Sequence, residues 1–437
     1  LEFLKIKSCP FITKSAGSLI SWPLMDSSDQ NSPSFHPIRW LMLAGVWLIY
    51  FCFGLTVTSL APLVRPVTQD LGMSYAEMGS VLGAWQLVYI VTALPCGALV
   101  DRFGLRRSLL LCSLVMGFSF ILRAYAVDHL TLFLSVALFG FGGPLVSIGA
   151  PKLISLWFAG RERGLAMGIY VTGPAFGGIT SLSLTNSVMM PWFDGEWREV
   201  ILVYAILVFL SGLAWLLISS NPVSLKIESG QRQESRPPQF KVFAELFSLA
   251  PVKILLLLSI GTFLYNHGLN NWLHEILQTH GMEAERAGYW ASLPTLIGIL
   301  GALIIPRLAL PQRRIWILAL LFASAGISAL LLQSDQDFWI LLGLILKGIT
   351  QGSMMTILLL ILMEIPEVGS RYTGSASGMF FAAAEIGGVL GPFSLGVFSS
   401  QSGNFQNALN MLSVVCLMLV LMTMVLKYLM KPEFGKK

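Results

Sequence analysis

Charge is what this sequence has least of. Only 12% of its 437 residues are Asp, Glu, Lys or Arg, against about 25% in an ordinary soluble domain. That scarcity excludes a soluble globular chain. The net charge of +5 belongs to short basic loops, so no nucleic-acid partner is expected. Cysteine and histidine are also few, five of each. Cys9, Cys52, Cys96, Cys112 and Cys416 have neither metal nor disulfide spacing, and no metal is expected. The sequence has no nucleophile elbow and no phosphate loop, and its Gly-x-Gly patterns sit inside apolar runs. No cofactor and no enzyme activity are therefore expected. Residues 1–24 lack the long apolar core of a signal peptide. They read as an extended gene start or a cloning artefact ahead of Met25, with 25–38 a mobile tail.

Apolar residues fill the gap, at 55% of the chain with a mean hydropathy of +0.73. Runs of about 20 apolar residues recur along the whole length, which predicts membrane-spanning helices. A membrane barrel would show short alternating segments instead. The runs predict an all-α membrane protein with twelve spans, near 40–61, 75–98, 107–126, 131–156, 164–187, 198–218, 252–274, 286–306, 315–333, 338–362, 373–398 and 406–428. A polar, Pro-containing stretch separates the sixth from the seventh. The expected organisation is a tail 1–38, a six-helix bundle 39–219, a cytoplasmic linker 220–250, a second bundle 251–430 and a tail 431–437. Bases crowd the loops on the side of both termini, among them Arg102, Arg106, Arg107, Arg161, Arg163 and Arg371. The opposite side holds little beyond Arg65, Arg123, Arg198 and Arg286. Both termini are thus predicted to be cytoplasmic, in a bacterial inner membrane, with the chain a monomer surrounded by lipid.

One charged turn stands out, Gly97-Ala-Leu-Val-Asp101-Arg102-Phe-Gly104-Leu-Arg106-Arg107, between the second and third spans. Asp101 is an acid in a basic turn and calls for a specific partner. The stretch resembles the signature loop of the major facilitator superfamily of secondary transporters. Gly97, Leu99, Asp101, Arg102, Gly104 and Arg106 match that loop, and Leu105 departs from it. The resemblance implies two six-helix halves, an alternating-access mechanism, and an Asp101 that contacts the start of the eleventh helix near Thr373 and Gly374. A carboxylate suits a helix N-terminus, and this contact would help hold the outward-facing state. Gly173-Pro174-Ala-Phe-Gly177-Gly178 in the fifth span is similar to the family's Gly-Pro-x-x-Gly-Gly motif. It reads equally as a packing seam between the halves or as a determinant of transport direction.

The halves repeat. Gly164, Ala166, Gly168, Gly177 and Gly178 recur as Gly374, Ala376, Gly378, Gly387 and Gly388, every pair 210 positions apart. The signature turn is degenerate in the second half, where Ile305 and Pro306 replace Asp101 and Arg102.

Polar groups deep in apolar spans are functional candidates by default. Lys347 and Glu385 lie mid-span and are expected either to pair or to divide substrate and proton between them. Gln351 shares a helix face with Lys347. Lys152 reads equally as a site residue or as snorkelling, whereas Arg123, near a span end, is expected to snorkel. His267, Asn270 and His274 form one stripe on span seven, with His267 a candidate proton carrier. Tyr50, Trp85, Gln86 and Tyr89 suggest an aromatic, partly polar wall in the first half. Span four lacks the Arg that many proton-driven drug antiporters of the family carry; its stretch is Val136-Ala-Leu-Phe-Gly140. The expected function is secondary transport of a small organic solute, an anion or zwitterion, with protons as the coupling ion. Export or facilitated diffusion of an organic cation stays open, as does a transport-like sensor or receptor.

Overall fold

A computed structural model describes residues 36–229 and 239–430. The tails 1–35 and 431–437 and linker positions 230–238, including the expected start at Met25, lie outside the described residues. Among the described residues all the long elements are helices. Span one is Ile38–Thr58, span four His129–Trp157, span five Gly160–Leu184 and span six Trp197–Ser219. Spans seven to twelve are Ala250–Thr279, Ala284–Leu308, Arg314–Leu331, Asp337–Met363, Gly369–Ser402 and Gln406–Leu429. Counting only described residues, eleven helices are long and apolar enough to cross a membrane, namely span one and spans three to twelve.

Spans two and three are two helices that follow one another within Tyr75–Ala124 and meet at a kink at Gly104, where φ is 80° and ψ is 170°, so the turn between them is tighter than the loop expected there. That conformation is open to glycine and closed to most side chains, so one residue makes the turn. Span two is the arm before the break. It starts with a capping box, in which the Ser74 side chain accepts from the Glu77 N–H while Glu77 accepts from the Ser74 N–H. Asp128 and Thr131 do the same for span four. The linker region carries two short helices, Pro222–Ser229 and Gln239–Ser248.

Within each half the repeat has a structural meaning. A methyl group at Gly177 would run into the Phe51 carbonyl, and one at Gly387 would run into the Ile260 carbonyl. Spans one and five therefore touch backbone to backbone, and so do spans seven and eleven. Pro174 likewise packs on Gly54, Gly173 on the Trp47 carbonyl, and Gly178 on Thr58. The Gly-Pro-x-x-Gly-Gly seam lies inside the first half, not between the halves, because small residues draw together neighbouring helices of one bundle.

The halves meet at one end. Val389 O of span eleven lies 3.0 Å from a Cβ at Gly83 of span two, the Ala76 N–H donates to Ser400 Oγ at 2.9 Å, and Gly288 of span eight packs on the Leu182 carbonyl of span five. All of these lie toward the end that holds Arg65. Toward the signature-turn end, a Cβ at Gly164, Gly168 or Gly378 would meet nothing within 4 Å. A Cβ at Gly97 would meet only Ile148, of its own half. The described residues are thus closed at the Arg65 end and parted at the other. The outer face is apolar, with Leu122, Leu210, Leu320 and Leu421 all exposed, as a surface solvated by lipid must be.

Candidate functional site

Lys347 is 0% exposed in the middle of span ten. Its ammonium donates to Asn270 Oδ1 of span seven at 2.6 Å and to Gln351 Oε1, one turn further along span ten, at 2.5 Å. A Lys–x–x–x–Gln spacing puts both side chains on one helix face, and the span seven–span ten contact supplies the third member. The expected pairing with Glu385 is not what the geometry gives: among the described residues both partners of this ammonium are neutral amide oxygens. A buried cation with no carboxylate bonded to it bears an uncompensated desolvation penalty.

Glu385 belongs to a second cluster, across span seven. It is 7% exposed, and its Oε2 has no hydrogen-bond partner among the described residues. One turn on, a Cβ at Gly388 would lie 2.7 Å from that oxygen and 3.2 Å from Gln86 Cγ. Glu385 and Gln86 thus face each other from opposite halves. Gln86 Nε2 lies 3.2 Å from His267 Nδ1, and His267 precedes Asn270 by one turn. Span seven therefore connects the two clusters.

The aromatic wall is in the first half. Tyr50 stacks on Tyr170 with centroids 4.9 Å apart and on Phe53 at 5.4 Å, and Trp85 meets Phe53, Tyr89 and Phe139 at 5.3 to 6.1 Å. Tyr170 was not singled out from the sequence. Between this wall and the Lys347 cluster lies a cavity of about 270 Å³, lined by Phe53, Val57, Pro174 and Leu182 on one side and by Asn270, Thr295 and Gln351 on the other.

The stripe His267, Asn270 and His274 shares a helix face but not a partner. His274 Nε2 lies 3.0 Å from Asn186 Nδ2 and 3.0 Å from the Ala284 carbonyl, toward the closed end. Among the described residues no cluster of three or more His, Cys, Asp or Glu side chains could hold a metal. Lys152 is half-buried in the last third of span four and is not one of the groups bonded to Lys347.

Arg123 corrects an expectation. It does not snorkel, being 1% exposed, with Nη1 donating to the Thr56 carbonyl at 3.2 Å and to Ser59 Oγ at 3.0 Å. Its guanidinium lies over Phe120. The reason is local. Span one ends at Thr58 with orphan carbonyls, and a cation at a helix C-terminus both satisfies and stabilises it.

The closed end holds a triad that sequence reading missed. Arg65 Nη2 donates to Glu275 Oε1 at 2.8 Å, and the Tyr75 hydroxyl donates to the same oxygen at 2.7 Å. The Glu275 side chain is 1% exposed and that of Arg65 43%. Arg65 and Tyr75 belong to the first half and Glu275 to the second. At the other end, Arg106 donates to Ser220 Oγ at 2.8 Å, while the Trp215 indole donates to the Arg106 carbonyl at 3.0 Å. Arg102 is exposed over Phe103. The side chains of Asp101 and Thr373, and with them the expected contact at Gly374, lie outside the described residues.

With this geometry in hand, comparison with known proteins is informative. The profile of the Major Facilitator Superfamily matches residues 46–392. A quinolone resistance transporter of Acinetobacter baumannii is 26% identical, over 81% of this chain and 86% of its own length. A probable galactarate/D-glucarate transporter of Escherichia coli is 23% identical over 88% and 93%. A 4-hydroxybenzoate transporter of Acinetobacter baylyi is 26% identical over 63% and 66%. Among solved structures, a bacterial homologue of the human lysosomal transporter Spinster, inward-facing and unoccupied, aligns with a TM-score of 0.69 at 17% identity over 90% of this chain and 96% of its own. The nucleoside transporter NupG aligns with a TM-score of 0.75 at 14% identity over 89% and 99%. At these identities the solved structures speak for the fold alone.

Proposed function

The chain belongs to the Major Facilitator Superfamily, and we propose that within it this protein is a secondary transporter of a small organic anion. One observation carries the reading: Lys347, fully buried at the centre of the bundle, is bonded among the described residues to neutral amides that line the cavity between the halves. A buried ammonium without a bonded carboxylate favours a site that takes its counter-charge from the ligand. Relatives named for galactarate/D-glucarate, 4-hydroxybenzoate, hexuronate and sulfoacetate support an anionic cargo.

Alternating access is the mechanism that the one-ended closure supports. Among the described residues the halves touch through Arg65, Tyr75 and Glu275 at one end, while at the other a Cβ at Gly97, Gly164, Gly168 or Gly378 would meet nothing of the opposite half. Rocking about the cavity would exchange these two situations. In this reading the parted end faces the cytoplasm of a bacterial inner membrane, with both termini on that side, as the distribution of loop bases supports. Asp101 would be paired with the start of span eleven in the opposite state. The coupling ion is a proton carried by Glu385 or His267, which meet through Gln86. The working unit is a monomer in lipid.

A second reading has one observation behind it. Glu385 offers a buried carboxylate oxygen with no partner among the described residues, and a relative is named for quinolone resistance. An exported organic cation would use that oxygen together with the aromatic wall. Thermal stabilisation of purified protein by a panel of organic anions, zwitterions and cations separates the two, since a ligand of the native state raises the melting temperature by mass action. Stabilisation by anions that disappears in Lys347→Gln supports the anion reading. Stabilisation by cations alone, lost in Glu385→Gln, replaces it with the second.

A further inference from the structure

The cavity has two unlike walls. Toward the first half it is lined by Phe53, Val57, Pro174, Ala175 and Leu182, with Thr58 the polar side chain among them. Toward the second half it is lined by Asn270, Thr295 and Gln351 beside Ala291. The polar wall has a fixed polarity. An ammonium has three donors and no acceptor, so Lys347 can hold Asn270 and Gln351 only by their oxygens, as it does at 2.6 and 2.5 Å. Both amide NH2 groups are thereby turned away from Lys347. Two half-buried donors, polarised by a cation behind them, are an acceptor's binding site. Neutral amides without that cation could rotate and present either atom.

The opposite wall excludes many anions. A hydroxyl pressed against Phe53, Val57 and Leu182 would give up its hydrogen bonds to water with nothing in return, and each such loss is costly. Phe53 is itself part of a ring cluster, stacked on Tyr50 and tilted against Phe139 at 5.3 Å, which favours a planar aromatic body. At about 270 Å³ the cavity falls just below the ~300–1,000 Å³ of drug-sized sites, so the cargo is small.

We propose that the site selects a compact aromatic monocarboxylate over a polyhydroxylated sugar acid. The carboxylate accepts from the amide N–H groups of Asn270 and Gln351, and the ring lies on the Phe53–Leu182 wall. Lys347 acts as a positioning residue that orients both amides. This rests on the organic-anion reading above and narrows it.

The test is calorimetric titration of the full-length protein in detergent with benzoate, glucarate and benzylamine. Benzoate is expected to bind, with glucarate weaker by on the order of tenfold or more for the loss of one to two buried hydrogen bonds. Asn270→Asp keeps the size of the side chain and its bond to Lys347 but replaces the donor with an acceptor. It is expected to lose benzoate by a similar factor with a melting temperature no lower than that of wild type, since the new carboxylate gives the Lys347 ammonium a counter-charge. Leu182→Asn, which adds a polar group to the apolar wall, is expected to narrow the benzoate–glucarate ratio. Glucarate binding equal to or tighter than benzoate, and sensitive to Lys347→Gln, overturns the aromatic proposal and leaves the anion reading standing. Benzylamine binding without benzoate binding overturns both. Benzoate affinity unchanged in Asn270→Asp overturns the assigned role of the amides.

Discussion

Replacing Glu275 by Gln should open the closed end. The Arg65–Glu275–Tyr75 triad joins the halves where they touch, so it exists in only one of the two states of an alternating-access cycle. Hydrogen bonds to charged groups are worth about 1.5–3 kcal/mol. Arg65 is 43% exposed at its side chain, and solvent screening trims its share, leaving roughly 1–2 kcal/mol. Gln keeps the shape and one acceptor but removes the charge. At 1.36 kcal/mol per tenfold, the equilibrium should move about 5- to 30-fold toward the state open at that end. The change is read by pulsed electron paramagnetic resonance between spin labels at Val127→Cys and Asn407→Cys, both exposed near the closed end in opposite halves, with Cys9→Ser in the background. The native Cys52, Cys96, Cys112 and Cys416 are buried and react slowly. A longer-distance population should grow in Glu275→Gln. Identical distance distributions in both proteins, with both folded, would refute the idea that this triad is a gate.

Three other outcomes follow from the packing. Arg123→Leu removes the guanidinium from the Thr56 carbonyl, which keeps only the Ser59 hydroxyl as a side-chain donor, and from Ser59 Oγ, and should cost about 2 kcal/mol, seen as a lower melting temperature that Arg123→Lys partly restores; an unchanged melting temperature would mean that the cap contributes nothing. Gly177→Val drives a side chain into the Phe51 backbone and should lose about 3 kcal/mol or more, whereas Gly168→Ala meets nothing within 4 Å and should stay within ~0.5 kcal/mol; equal behaviour of the two in a detergent melting series would contradict the seam. Hydrogen bonds from the Thr131 N–H and hydroxyl hold the Asp128 carboxyl below its ordinary range. Its contribution is then present above the unfolded value of about 3.9 and is lost as pH falls through the lower folded value. Asp128→Ala should therefore melt below wild type at pH 7, with the gap closing only below about pH 4; a gap that closes between pH 5 and 7 would point to another group.

The architecture was legible because its causes are local. Apolar run length, the Gly104 turn and the 210-residue repeat each follow from periodicity and from the backbone freedom of single residues. Lys347 and Gln351 could be joined from the sequence because a spacing of four fixes a helix face. Asn270 could be named but not paired with them, since that bond depends on how span seven crosses span ten. Arg123 was misread because its distance from a span end suggested water, while the face it occupies turns inward onto the end of span one. Glu275 left no sequence signal. It follows His274 in an apolar stretch near a span end, where an acid is ordinary, and its partner lies 210 positions earlier, in the other half.

The most direct test of anion transport through Lys347 is charge-selective uptake into proteoliposomes. Wild-type protein, Lys347→Gln and Glu385→Gln would be given radiolabelled organic anions and cations under an imposed proton gradient. Wild type should accumulate anions and Lys347→Gln should not, while Glu385→Gln should lose gradient-driven accumulation and retain exchange. Cation transport that survives Lys347→Gln, with no anion moved by any of the three, would contradict an anion carrier built on Lys347.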